Sequence, residues 1–140
     1  MRFLRILGLD VGEKTIGVAI SDPLGWTAQG LYNLRRQNKA KDLEAILDII
    51  REYEVEQVVV GLPINMNGTV GPSAARCQAF GKLIREAKGL PVTYQDERLS
   101  TVAAQRVLLE GNLSRAKRKK VIDKLAAVYI LQGYLDSIAK

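Results

Sequence analysis

Three acidic positions stand where an acid is costly or strategic, and no histidine is available to work beside them, because the chain contains none. Asp10 closes the apolar run FLRILGLD and precedes the glycine turn VGEKT. Burying an unpaired carboxylate is expensive, so this side chain points into a cleft or meets a cation. Asp also opens many hairpin turns, so Asp10 alone decides nothing. YQDERLST then places adjacent acids, Asp96 and Glu97, where a strand hands over to a helix. Neighbours on a strand point to opposite faces, so only one of the two shares a cleft with Asp10. Two acids before a helix N-terminus also have an ordinary electrostatic reason to be there.

Asp123 is the least ordinary of the three. Its helical neighbours are Lys119 and Lys120 one turn before, and Ala126 and Ala127 one turn after. An exposed ion pair with either lysine contributes about 0.3–0.5 kcal/mol. That pair accounts poorly for an acid that follows Ile122 and leads into Leu125-Ala126-Ala127-Val128. The small residues would let such a helix lie close to a sheet.

Three acids from separate segments, no histidine, and a basic turn beside the last acid fit one chemistry. Hard divalent cations such as Mg²⁺ or Mn²⁺ take oxygen ligands, keep waters and bridge to phosphates. Two such ions roughly 3.5–4 Å apart activate a water and stabilise the leaving oxygen of a phosphodiester. No histidine base is needed, because the metal lowers the pKa of the attacking water. Neighbouring Lys and Arg would hold a polyanion by its backbone.

The elements that must position these acids follow from periodicity. Residues 3–10 and 16–22 read as two strands of a hairpin, the second alternating Ile16, Val18 and Ile20 with Gly17, Ala19 and Ser21. A third strand covers part of 26–34, after the turn Asp22-Pro23-Leu24-Gly25. A helix at about 39–53 carries Leu43, Ile46, Leu47, Ile50 and Tyr53 on one face. EQVVVGLP is a short apolar strand, and INMNGTVGPS a loop. Ser73 is the expected cap of a helix carrying Cys77, Phe80, Leu83 and Ile84, stopped by Gly89. LPVTYQDE gives a fifth strand, Ser100 to about 110 a further helix, and the basic run opens the last, to about 138. The order β-β-β-α-β-α-β-α-α predicts an α/β domain, a mixed sheet with helices on both faces, spanning 1–140 without a linker or repeat.

The totals restrict the setting. Of the net charge of +6, residues 101–140 supply +5, from eight basic side chains against three acids. A basic face of this kind suits a polyanion, most often nucleic acid. Arg115, Lys117, Arg118, Lys119 and Lys120 are the main candidates; the alternative is a solvated patch that only aids solubility. Lys14 in the first turn, Asn65 in the loop GLPINMNGTVG and Arg98 beside the paired acids are further candidates for phosphate contact. Trp26 and the five tyrosines show no interleaving that would make a base-stacking platform. The one cysteine, Cys77, fits a reducing compartment. MRFLRILGLD is interrupted by Arg5 and lacks a cleavage site, and no run of about 20 apolar residues would span a membrane. The expectation is a cytoplasmic protein.

GLDVGEKTIGVAISD, VVVGLPINMNGT, YQDERLSTVAA and the closing IDKLAAVYILQGYL together resemble, in order and across nearly all of the chain, the bacterial YqgF/RuvX family. Members of that family are described as pre-16S rRNA nucleases or Holliday-junction resolvase-like proteins. The resemblance implies a ribonuclease H-like fold, a five-stranded mixed sheet of order 3-2-1-4-5. It implies that Asp10, Glu97 and Asp123 are catalytic and ligate two Mg²⁺ or Mn²⁺ ions. The sequence departs from the pattern at Lys124, a bulky cation where a smaller polar residue is expected after the acid. By resemblance the substrate is structured RNA, a ribosomal RNA precursor whose 5′ end is processed during ribosome biogenesis. Branched DNA, in recombination, is the alternative. A second class of reading is a binding factor for ribosome maturation or transcription with a vestigial site. A third takes DVGEKTIGVA as the phosphate loop of an actin-like or sugar-kinase-like ATPase, although 140 residues hold only one of the two domains such enzymes use. A monomer and a homodimer both fit the sequence.

Overall fold

A computed structural model of the chain describes residues 5–63, 67–96 and 115–139, with the side chains of 115–124 outside that description. Five strands, β1 (Ile6–Val11), β2 (Thr15–Ser21), β3 (Ala28–Arg35), β4 (Gln57–Leu62) and β5 (Val92–Asp96), form one sheet. Its order is β3-β2-β1-β4-β5, as the resemblance implies. β1 pairs antiparallel with β2 and parallel with β4, and β5 is parallel to β4. The carboxyl ends of β1, β4 and β5 therefore share one edge. Helices α1 (Lys39–Glu52), α2 (Pro72–Lys88) and α3 (Arg115–Ile138) complete the described elements. The helix expected from Ser100 to about 110 lies outside the described residues.

The central strands are apolar on both sides because both sides are covered. Leu7, Leu9, Ile16, Val18, Val58 and Val60 pack with Ile46, Ile49, Ile50, Cys77, Phe80 and Ile84 of α1 and α2. Ile6, Ala19 and Val59 on the other face pack with Ala126, Ala127, Ile130, Leu131 and Leu135 of α3. The large–small alternation in β2 acquires a reason here. Its large residues serve the α1/α2 core, while Ala19 lies under α3. Gly8 shows how close that approach is. A Cβ there would sit 2.7 Å from Leu131 Cβ and 3.3 Å from the Ala127 carbonyl oxygen.

Side-chain hydrogen bonds fix the direction of α3. Gln132 accepts from the Ala28 amide at 2.9 Å and donates to the Trp26 carbonyl at 3.1 Å. Tyr134 Oη accepts from Gln57 Nε2 at 2.8 Å. Gln57 opens β4 opposite Ile6, and Ala28 opens β3 opposite Ser21, which itself accepts from the Ile6 amide at 2.8 Å. The carboxyl-terminal half of α3 thus lies over the amino ends of β1 and β4. Its amino-terminal half runs toward the edge where β1 ends.

Helix α1 starts as expected, with Asn38 accepting from the Lys41 amide at 2.9 Å. Helix α2 differs at its start. Its N-cap is Gly71, without a side-chain cap bond, and Ser73 sits inside the first turn. Pro72 explains the shift, since proline suits the first helical position, where no amide hydrogen is needed. Gly89 ends the helix in the left-handed conformation, φ 68°. The β2–β3 turn is held by Asp22, whose Oδ1 accepts from the amides of Trp26 and Thr27 at 2.6 and 2.9 Å. The backbone bond from Thr27 is the first cause that lowers the Asp22 pKa.

Candidate active site at the carboxyl edge of the sheet

Asp10 is the penultimate residue of β1, half-buried, and opposite Gly17 of β2. Ile6, Gly8 and Asp10 share a face by strand alternation. Ile6 and Gly8 meet α3, so Asp10 belongs to the α3 side. The turn that follows is tight. The Gly12 amide donates to the Thr15 carbonyl at 2.9 Å, and a Cβ on Gly12 would come within 2.9 Å of that same oxygen. Lys14 lies in this turn and is exposed.

A largely buried ion pair, with side chains 15% and 6% exposed, ties the turn to the rest of the fold. Arg36 Nε donates to Asp42 Oδ2 at 3.1 Å, and Nη1 donates to the Gly12 carbonyl at 2.9 Å. The Arg36 amide donates to the Lys14 carbonyl at 2.8 Å. Asp42 also accepts from the Gln37 amide at 2.9 Å, and the guanidinium lies 5.6 Å from the centre of the Phe80 ring. The backbone two residues beyond Asp10 is thus held from β3, α1 and α2 together. Sequence reasoning missed Arg36 and Asp42. Their signal was faint: an arginine at a strand end, and an acid in a helix's first turn where acids are common.

Asp96 ends β5 opposite Leu62. Val92 and Tyr94 pack with the α1/α2 core, and Asp96 follows them with the period of the strand. It therefore lies on the face opposite Asp10. Tyr94 Oη donates to the Gln78 carbonyl at 3.1 Å, and burial is the first cause that raises its pKa. Glu97, Arg98 and Asn65 lie outside the described residues, as do the side chains of Arg115, Lys117, Arg118, Lys119, Lys120 and Asp123. The backbone of these last six is helical, in α3. Position 123 is one turn before Ala127, and Ala127 meets β1 at Gly8. With α3 running toward the carboxyl edge, that next turn leads to the end of β1 where Asp10 stands. Among the described residues no three His, Cys, Asp or Glu side chains converge as a metal site. Among them, too, no helix is long and apolar enough to cross a membrane.

Sheet order, a first-strand acid and a final helix packed across β1 define a ribonuclease H-like α/β protein. Solved structures that share the fold include two resolvases. The Thermus thermophilus RuvC structure in complex with a Holliday junction substrate superposes with a TM-score of 0.60 at 15% identity, over 98% of both chains. The fowlpox virus Holliday junction resolvase gives 0.56 at 16% identity, over 97% of this chain and 100% of that one. At these identities the likeness is one of fold. Sequence relatives are far nearer. The chain belongs to the family described as "RuvX: Holliday junction resolvase", whose model matches residues 4–137. A Clostridium botulinum (strain Alaska E43 / Type E3) relative is 61% identical over 137 residues, which is 98% of this chain and 100% of its own. A Moorella thermoacetica relative is also 61% identical, over 98% of each. Both bear the name "Putative pre-16S rRNA nuclease".

Proposed function

We propose that residues 1–140 form one nuclease domain, a cytoplasmic hydrolase that cleaves phosphodiester bonds at the 5′ end of the 16S rRNA precursor. The observation that carries this reading is the placement of Asp10 on the α3 face of the carboxyl edge, with α3 running toward it. The names of the 61%-identical relatives support RNA as substrate. The family description favours a second reading, a four-way DNA junction.

Asp10, Glu97 and Asp123 would hold Mg²⁺ or Mn²⁺. An all-oxygen donor set of carboxylates suits those ions, and Asp10 is half-buried at a solvent-reaching edge as such a site requires. When bound, the ions supply a water of lowered pKa and positive charge for the departing 3′ oxygen. The chain's own groups do the rest. The Gly12 turn and the Arg36–Asp42 pair hold Asp10 in a fixed position, so no reorganisation is needed as charge develops. Lys14 reaches a phosphate beside the scissile bond. Asp96, on the other face, stays out of the donor set. In-line attack of water on phosphorus breaks the P–O3′ bond and leaves a 3′ hydroxyl and a 5′ phosphate. The basic run of α3 carries the flanking backbone.

The test is cleavage of a short RNA spanning the 5′ end of the 16S precursor and of a four-way DNA junction, each with Mg²⁺, Mn²⁺ or EDTA. Metal-dependent cutting of the RNA is expected, reduced about 100-fold or more in Asp10→Asn. Preference for the junction would select the resolvase reading. Tight binding without cutting in any metal would leave a binding factor.

A further inference from the structure

The segment from Pro23 to Lys41 holds no acid, and its four cations, Arg35, Arg36, Lys39 and Lys41, fall within its last seven residues. Folding gathers three of them around one cleft. Between the end of β3 and the start of α1 lies a cavity of about 290 Å³, with Arg35, Arg36, Gln37 and Lys41 on its walls and Ile16 and Leu34 among its apolar lining. Arg35 and Lys41 are exposed. Among the described residues neither meets a carboxylate within 4.0 Å, and neither does Lys39.

Asp42 is the acid of the cleft, and its charge is already matched. Its two oxygens accept from Arg36 Nε and from the Gln37 amide. Arg36 spends two of its five donors on Asp42 and the Gly12 carbonyl. Arg36 has three donors besides these and is itself part of the cleft wall. Glu13 and Glu44 are exposed nearby in sequence, yet neither lines the cavity. The result is a concave seat with net positive charge and directional donors, which suits a phosphate.

Its location gives it a partner. Arg35 pairs with Thr15 across β2 and β3, and the Arg36 amide binds the Lys14 carbonyl. The seat is therefore one hairpin turn away from Asp10, around the rim of the sheet from the α3 side. A polyanion lying against Asp10 and Lys14 would continue into it.

We propose that this cleft is a second phosphate seat for the sugar-phosphate backbone of bound nucleic acid, with Arg35, Arg36 and Lys41 as its ligands. This rests on the reading that the chain binds nucleic acid, and it adds a contact on the α1 face of the sheet, opposite the face that α3 covers. Binding of a fluorescein-labelled RNA hairpin with a single-stranded 5′ extension, followed by anisotropy in EDTA at salt from about 50 to about 200 mM, tests it. The double variant Arg35→Gln, Lys41→Gln removes two exposed charges and keeps their aliphatic stems. Its plot of log affinity against log salt should be shallower by about 1.4, two contacts at about 0.7 each. Lys88→Gln, one charge lost at the far end of α2, should leave the slope unchanged. Equal slopes for wild type and the double variant would overturn the seat, and so would an equal loss per charge in Lys88→Gln. Because EDTA removes catalysis from the measurement, a wild type that binds but never cuts would overturn the nuclease reading and leave the seat standing.

Discussion

Arg36 is engaged three ways at once: an ion pair to Asp42, a hydrogen bond to the Gly12 carbonyl, and a contact over Phe80. Its side chain is 15% exposed and that of Asp42 is 6% exposed, so neither charge has much water to fall back on. Removing one partner from a buried pair leaves the other uncompensated, which typically costs 3–5 kcal/mol. Asp42→Asn keeps the shape and part of the hydrogen bonding, so a loss of about 3 kcal/mol is expected in urea unfolding. A change below about 0.5 kcal/mol, the scale of an exposed pair, would mean that the turn after Asp10 is held by something else. The exposed pair Arg51–Asp48, with side chains 67% and 60% exposed, offers the internal comparison. This interaction was not legible in the sequence. One-dimensional periodicity ranks Arg36 and Asp42 as surface charges, because only the three-way meeting of β3, α1 and the β1–β2 turn buries them.

At the scale of elements, the fit of α3 against β1 depends on what is missing from Gly8. Gly8→Ala would drive a Cβ into Leu131 Cβ and toward the Ala127 carbonyl, and a helix backbone cannot yield as a flexible side chain does. A cost of about 2 kcal/mol is expected, with a further loss of cleavage on the proposal that Asp123 of α3 belongs to the metal set. Gly133→Ala serves as the counterpart. Its Cβ would meet Gln95 Nε2 at 3.5 Å, an ordinary contact, so the gain in helix propensity should stabilise by up to about 1 kcal/mol. Thermal unfolding of both variants reads the two signs. Most elements were visible in the sequence through their periods: β1, β2 and β4 as apolar runs, α1 by its Ile46 and Ile50 face, β5 before the paired acids. The start of α2 was not, because Ser73 is the better-known cap type while Pro72, one residue earlier, set the boundary. The opposite faces of neighbouring strand residues were predicted for Asp96 and Glu97. The structure places Asp96 on the α2 side, and the assignment of Glu97 to the metal set stays with the motif and the proposal.

At the scale of the whole molecule, the fold brings an acid of the first strand and the last helix together across most of the chain. No local stretch of sequence contains that juxtaposition, and the acids alone each had an ordinary reading. What the order of four motifs made legible was the family and the fold, and with them a candidate site. What stayed hidden was the basic cleft of 35–41, because the larger cation cluster of α3 dominated the charge count and the cleft forms only when β3 meets α1.

If Asp10, Glu97 and Asp123 share a divalent ion as proposed, Mn²⁺ uptake reports it without any substrate. The loss of the free Mn²⁺ signal in electron paramagnetic resonance would be followed for wild type and Asp123→Asn, with thermal unfolding as the check on folding. Saturable uptake by wild type is expected, with affinity weakened about tenfold or more in the variant and the melting temperature without metal unchanged. Equal uptake by both proteins, or none by wild type, would contradict it.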